Sequence, residues 1–277
     1  MTASAKGLMT GLRGLVMGVA NNHSIAWGIA QAAAREGAEL AFTYQGDSFR
    51  RRVEPLAKSV GSDIVIPCDV GDPSSVDTAF ETLQSRWESL DFVVHAIAYS
   101  DKAELKGRYV DTTLDNFLHT MNISCYSLTA VTRRAEPMMR KSRNGRGGSI
   151  LTLTYLGAER VMPNYNVMGV AKAALEASVR YLAADLGHDG IRVNAVSAGP
   201  MRTLAGSAIA DARYVFKFSG DNAPLGRNVL LEDVGNAGLY LLSPLSGGVT
   251  GEVHHVDAGF HAVGIPRPSH EESDEGA

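Results

Sequence analysis

Short apolar runs rich in β-branched residues alternate along the chain with longer stretches whose apolar positions have helical spacing. The runs lie at 13–19, 39–44, 62–67, 91–97, 148–154, 190–196 and 252–257. The helical patterns lie near 24–36, 47–59, 74–88, 112–140, 164–187 and 232–243. Strands that read as unbroken apolar runs are covered on both faces. Their alternation with helices predicts right-handed crossovers and a parallel sheet. The expected architecture is α/β. Residues 1–263 should form one doubly wound, Rossmann-like domain, a seven-stranded parallel sheet with helices on both faces. Segment 201–220 has little strand patterning and is expected to serve as a lid. Ligands of such sheets bind beyond the carboxyl ends of the strands, so the chemistry is sought there.

Composition narrows the class. With 277 residues, 45% hydrophobic and 20% charged, the chain is neither disordered nor fibrous. No uncharged apolar run approaches the ~18 residues of a membrane span. The start, MTASAKGLMTGLRG, lacks the apolar stretch of a secretory leader. Two cysteines, Cys68 and Cys125, make neither a disulfide framework nor a zinc site and are expected to be buried. A cytoplasmic location is expected, with no metal. Of the net charge of −4, −3 falls in the tail 264–277, GIPRPSHEESDEGA, read as a solvated, disordered end. No basic surplus points to nucleic acid.

The first strand runs into Gly18-Val-Ala20-Asn-Asn-His-Ser24-Ile25-Ala26-Trp27-Gly28. The spacing G-x-G-x-x-G is absent, but its ingredients are present. Gly18 and Ala20 allow close backbone approach, and Gly28 should let a helix pack near the sheet. Ser24 can cap the helix, whose first amides suit a pyrophosphate. At the second strand end, Gln45 can bond a ribose hydroxyl but offers no charge to a 2′-phosphate. Arg50, Arg51 and Arg52 point in three directions on a helix and read as a solvated face. Asp69, after Cys68 at the third strand end, suits an adenine amino group or, equally, a helix N-cap. His23, Asn122, His254 and His255 read as structural.

Strand 148–154 leads to Tyr155 and then Tyr165-Asn-Val-Met168-Gly-Val-Ala-Lys172. Seven helical residues advance about 700°, so Tyr165 and Lys172 share a face. A nearby ammonium favours the phenolate and strengthens the phenol as a donor to developing oxyanion charge.

The runs LTLTYLGAERVMPNYNVMGVAKAALEASVRYLAADLG, IRVNAVSAGPMRTLA and GEVHHVDAGF, with GVANNHSIAWGIAQAAAREGAELAFTYQ, resemble bacterial enoyl-acyl-carrier-protein reductases. These are a divergent branch of the short-chain dehydrogenases, and the resemblance spans roughly residues 8–263. Its most discriminating feature is Tyr-x6-Lys in place of the wider superfamily's Tyr-x3-Lys, with Gly169 at the fourth place. Tyr155 stands where that superfamily has a serine. The resemblance implies hydride transfer from NADH, with NAD+ as product, to a trans-2-enoyl thioester of acyl-carrier protein, in a homotetramer.

By the same resemblance, Tyr165 bonds the thioester carbonyl, Lys172 holds the nicotinamide ribose, and Tyr155 helps position the acyl group. Cofactor contacts are implied at Gly18, Ser24, Ile25, Gln45, Asp69, Val70, Ile97 and Lys172, with Met201, Arg202, Thr203, Leu204 and Ala205 closing over the cofactor. Ser100 matches a substrate-side position. Met168, Met201, Leu204, Ala205 and Ile209 suit an acyl pocket or plain core. Ala96 and Ala98 depart from the family's Ser and Gly. Two rivals compete. A carbonyl reductase would favour Tyr-x3-Lys with an upstream serine. A nucleotide-binding scaffold that has lost catalysis would favour the absence of Tyr165 or Lys172.

Overall fold

The computed structural model describes residues 7–142, 145, 147–204, 206 and 211–266. All seven expected strands form: β1 (Arg13–Met17), β2 (Glu39–Tyr44), β3 (Ile64–Pro67), β4 (Phe92–His95), β5 (Ser149–Thr154), β6 (Arg192–Ala198) and β7 (Val253–Val256). They pair in parallel in the order β3-β2-β1-β4-β5-β6-β7. The helices are α1 (Ile25–Arg35), α2 (Gly46–Ser59), α3 (Pro73–Arg86), α4 (Leu114–Met121), α5 (Ser127–Met139), α6 (Asn166–Leu186), α7 (Ala212–Asn222) and α8 (Leu231–Leu242).

Alternate strand residues feed two cores. Leu15, Met17, Ala41, Val93, Ile150 and Ala195 pack with α3, α5 and α6. Their neighbours Val16, Leu40, Phe42, Val94, Leu151 and Val196 pack with α1, α2 and α8. This is the two-residue period of a strand buried on both sides.

Two local expectations are corrected. The pattern over 112–140 is not one helix. Between α4 and α5, Asn122–Tyr126 widens into a single π turn. Segment 201–220 carries no strand among its described residues, and α7 begins within it. Gly28 does not face the sheet. A Cβ there would meet Leu231 of α8 at 2.7 Å, and one at Gly235 would meet the Gly28 carbonyl oxygen at 2.6 Å. The α1–α8 contact is therefore backbone against backbone. The tail beyond 266 and Ala205 and Ile209 lie outside the described residues.

Gly235→Val should accordingly destabilise the fold more than an ordinary surface change. The clash is with backbone, which no rotamer relieves, so overpacking should cost roughly 1–3 kcal/mol. A melting temperature lowered by several degrees, read by circular dichroism, is the expected result.

Candidate active site

Strand order reverses between β1 and β4, and the crevice at their carboxyl ends is where a doubly wound sheet receives its ligand. A continuous cleft of about 2690 Å³ opens there. Most single-ligand sites occupy ~300–1,000 Å³, so this open cleft is larger than an ordinary one. Gly18, Ile25, Gln45, Asp69, Val70, Ile97 and Ser100 line it. So do Tyr155, Tyr165, Met168, Lys172 and Met201 to Leu204.

The floor depends on Gly18. Its φ is +94°, and an added Cβ would lie 2.0 Å from the Ala96 carbonyl oxygen. Ser24 precedes α1 but does not cap it. Its Oγ accepts instead from the amides of Ala20 at 3.0 Å and Asn21 at 3.1 Å, folding the β1–α1 loop back on itself. The first amides of α1 thus carry no side-chain cap and suit an anion. Ser24 is not part of the cleft lining, and its part in any ligand site is through that loop. Asp69 is not the cap of α3, which is Asp72, accepting from the Ser74 amide at 2.9 Å. Asp69 takes the Gly71 amide at 2.8 Å. Arg50 is engaged with Glu54 at 2.7 Å on the solvent side of α2. An uncapped helix start, a glycine at the β1 exit and an acid at the β3 exit together fit a dinucleotide.

Tyr165 sits immediately before α6 with its ring in a slot cut by two glycines. A Cβ at Gly157 would lie 2.4 Å from that ring, and one at Gly169 would lie 2.8 Å from the Gly157 carbonyl oxygen. A side chain four residues after Tyr165 would therefore have to displace the Gly157 backbone. Tyr155 meets the Tyr165 ring edge-on, with centroids 5.2 Å apart and planes at 75°. Lys172 is 6% exposed and donates from Nζ to the Leu153 carbonyl at 2.7 Å.

Burial governs the electrostatics. It raises the Tyr165 phenol, with Tyr155 and Glu176 adding to the rise. It pushes Tyr155 up to about 12 and pulls Lys172 down to about 8. The expectation that the ammonium would favour a Tyr165 phenolate is therefore reversed. Tyr165 is held as a neutral phenol, which is the form that donates a hydrogen bond.

Several supporting residues escaped the sequence reading. Asn164 and Asn166 flank Tyr165 with φ of +55° and +34°, a region that asparagine tolerates better than other side chains. Asn166 Nδ2 donates to the carbonyls of Glu104 at 3.2 Å and Gly107 at 3.3 Å, and Asn164 Nδ2 donates to Asp211 at 2.9 Å. The Asn-Tyr-Asn run was the available signal. His95 is fully buried and held neutral, pulled down to about 3 by desolvation. Its Nε2 lies 2.8 Å from Ser127 Oγ, whose own hydrogen goes to the Ile123 carbonyl. Nε2 is therefore the protonated nitrogen. Ser100 lines the cleft, but its Oγ already accepts from Thr120 at 2.9 Å and from Asn116 at 3.3 Å.

Residues 18–261 match the protein family described as enoyl-(acyl carrier protein) reductase. Enoyl-[acyl-carrier-protein] reductase [NADH] 1 of Rhizobium meliloti (strain 1021) is 63% identical over 95% of each chain. FabI from Candidatus Liberibacter asiaticus superposes with a TM-score of 0.91 at 56% identity, covering 94% of this chain and 99% of that one. The enoyl-(acyl-carrier-protein) reductase of Anaplasma phagocytophilum, solved in complex with NAD, gives 0.90 at 58% identity, covering 95% and 99%.

The buried lysine has a measurable signature. Its pKa is about 8 in the fold against 10.5 as the ordinary value. The unfolded chain therefore binds the proton more tightly, and stability rises with pH between those values. Without nucleotide, wild type should gain on Lys172→Met by up to about 3 kcal/mol as pH climbs from about 8 to 10.5. Paired denaturant titrations across that range check it.

Proposed function

The chain belongs to the enoyl-(acyl-carrier-protein) reductase family, and from that membership we propose how its residues divide the work. The protein is an NADH-dependent oxidoreductase of fatty-acid biosynthesis that saturates the double bond of a trans-2-enoyl thioester of acyl-carrier protein. One observation carries the assignment of roles. A buried, neutral Tyr165 and a buried Lys172 open into one cleft at the spacing Tyr-x6-Lys, with Gly157 and Gly169 beside the tyrosine. That spacing, with Tyr155 in place of a serine at the β5 exit, favours enoyl over carbonyl reduction.

Bound NADH supplies the hydride that reaches the substrate's β carbon. Charge then gathers on the thioester carbonyl oxygen, and collapse of that enolate places a proton from water on the α carbon. Tyr165 donates its hydroxyl to that oxygen, an interaction stronger in the transition state than in the ground state. Tyr155 braces the Tyr165 ring and lines the path of the acyl group. Lys172 offers its ammonium to the nicotinamide ribose. Asp69 and Val70 hold the adenine end and Gln45 the ribose beside it. The uncapped start of α1, with Gly18 and Ile25, takes the pyrophosphate. Ile97 and Met201 to Leu204 flank the nicotinamide, and Met168 lies toward the acyl chain. Gln45 is neutral, Asp47 nearby repels a 2′-phosphate and Arg50 is held by Glu54, which together favour NADH over NADPH.

Residues 1–263 act as one catalytic domain, with the acidic 264–277 outside it. Among the described residues no helix is long and apolar enough to cross a membrane, in keeping with work in the cytoplasm. A homotetramer is supported by exposed apolar side chains on α4, on the π turn and on α6. Leu114, Leu118, Tyr126 and Tyr181 all face solvent, beside an exposed Ala173 and half-buried Ala174 and Ala177. Ala171 and Ala183 instead face the chain's own core.

Loss of NADH absorbance with a trans-2-enoyl thioester, and none with a 3-ketoacyl thioester, is the expected result. The opposite preference would overturn the assignment. Tyr165→Phe should lower kcat by roughly 10²-fold with little change in NADH affinity, because only the oxyanion donor is lost. Light scattering at micromolar concentration should return four times the chain mass, and a monomer would refute the tetramer.

A further inference from the structure

One turn of α6 grips the last two residues of β5. Lys172 Nζ donates to the Leu153 carbonyl at 2.7 Å, and Thr154 Oγ1 donates to Glu176 Oε1 at 2.6 Å. Residues four apart on a helix share a face, so one side of α6 presents an ammonium and a carboxylate to consecutive residues of the strand. Tyr155 follows Thr154 directly, and Tyr165 lies just ahead of α6. The separation of the two tyrosines is therefore set by this grip.

Glu176 is buried and, among the described residues, makes no ion pair. A buried carboxylate without an ion pair is costly, and an amide could accept from Thr154 as well. The groups that act on Lys172 are Cys125 from the π turn and Glu176, and Lys172 in turn acts on His95 of β4. Tyr155 and Tyr165 line the same cleft. Burial raises the Glu176 carboxyl and the bond from Thr154 opposes that rise, with Glu159, His255 of β7 and Arg180 standing around it. Among the groups acting on Lys172, Glu176 is the only carboxylate.

We infer that Glu176 is a positioning residue whose carboxylate, one helical turn from Lys172, favours the ammonium there and whose bond to Thr154 fixes the strand end that carries Tyr155. The inference rests on the reading of Lys172 as a nucleotide contact. Burial draws the lysine down, and Cys125 and then Glu176 oppose that pull. The charge extends the pH range over which a buried ammonium is available to the nucleotide.

Two variants separate the roles. Glu176→Gln keeps an acceptor for Thr154 and removes the charge. Thr154→Val removes the bond and keeps the charge. Two quantities are followed from about pH 6 to about pH 10. One is NADH affinity by fluorescence titration. The other is the window in which nucleotide-free protein gains stability over its Lys172→Met counterpart. In Glu176→Gln both should move to lower pH by about half a unit or more, since removing a nearby opposite charge disfavours the ammonium. In Thr154→Val neither should move, while kcat falls several-fold. If both curves of Glu176→Gln superimpose on wild type, the inference is wrong. If the stability window moves but NADH affinity is indifferent to it, the coupling stands and Lys172 is not the nucleotide contact.

Discussion

The ring of Tyr165 lies in a slot walled by the backbone of Gly157 and Gly169. Most of the site follows from that fit. A side chain four residues on would have to displace the Gly157 backbone, and the lysine comes from the second turn of α6 and reaches the β5 exit at Leu153. The slot sinks the phenol away from water and keeps it neutral. It also brings Tyr155 against the ring edge. Entering such a slot just before a helix forces the flanking backbone into left-handed geometry, which asparagines on both sides accommodate.

Charge and burial compete throughout this cleft, and burial prevails. Proximity of an ammonium would draw a tyrosine toward its phenolate, yet Tyr165 moves the other way. The same desolvation weakens the hold of Lys172 on its proton and neutralises His95 beneath it. A neutral donor suits a reaction in which negative charge appears only transiently, because the donor is in place before the charge arrives.

The sequence exposed what depends on periodicity. β-branched runs located all seven strands, and the order of elements gave the parallel sheet. Tyr165 and Lys172 stood out because two chemistry-bearing residues recur at a helical interval after a strand, whereas Tyr155 was singled out only through the family resemblance. What stayed hidden depends on which atom a side chain meets. Ser24 looks like a cap in sequence, but its hydroxyl turns back to Ala20 and Asn21. Gly28 looks like a helix–sheet contact, but α8 is its neighbour. Helix α7 escaped because its run, ARYVFKFSGDN, buries only Val215, Ser219 and Gly220 and so lacks an apolar stripe. Glu176 is one more helix acid until Thr154 is seen against it.

The cleft has no local origin in the chain. Its floor is the seam where Val16 pairs with Val94, and its walls come from the ends of strands spread from β1 to β6. Such seams close late, since a long intervening segment must be ordered before the pairing can form. A half-synthesised chain already holds the β1–β4 seam but lacks the wall that Tyr155, Tyr165, Lys172 and the β6 exit supply. Occupancy of the cleft can stabilise only molecules whose two halves have already docked. Nucleotide in the cleft thus stabilises complete folds over partial ones, because only they present the whole site.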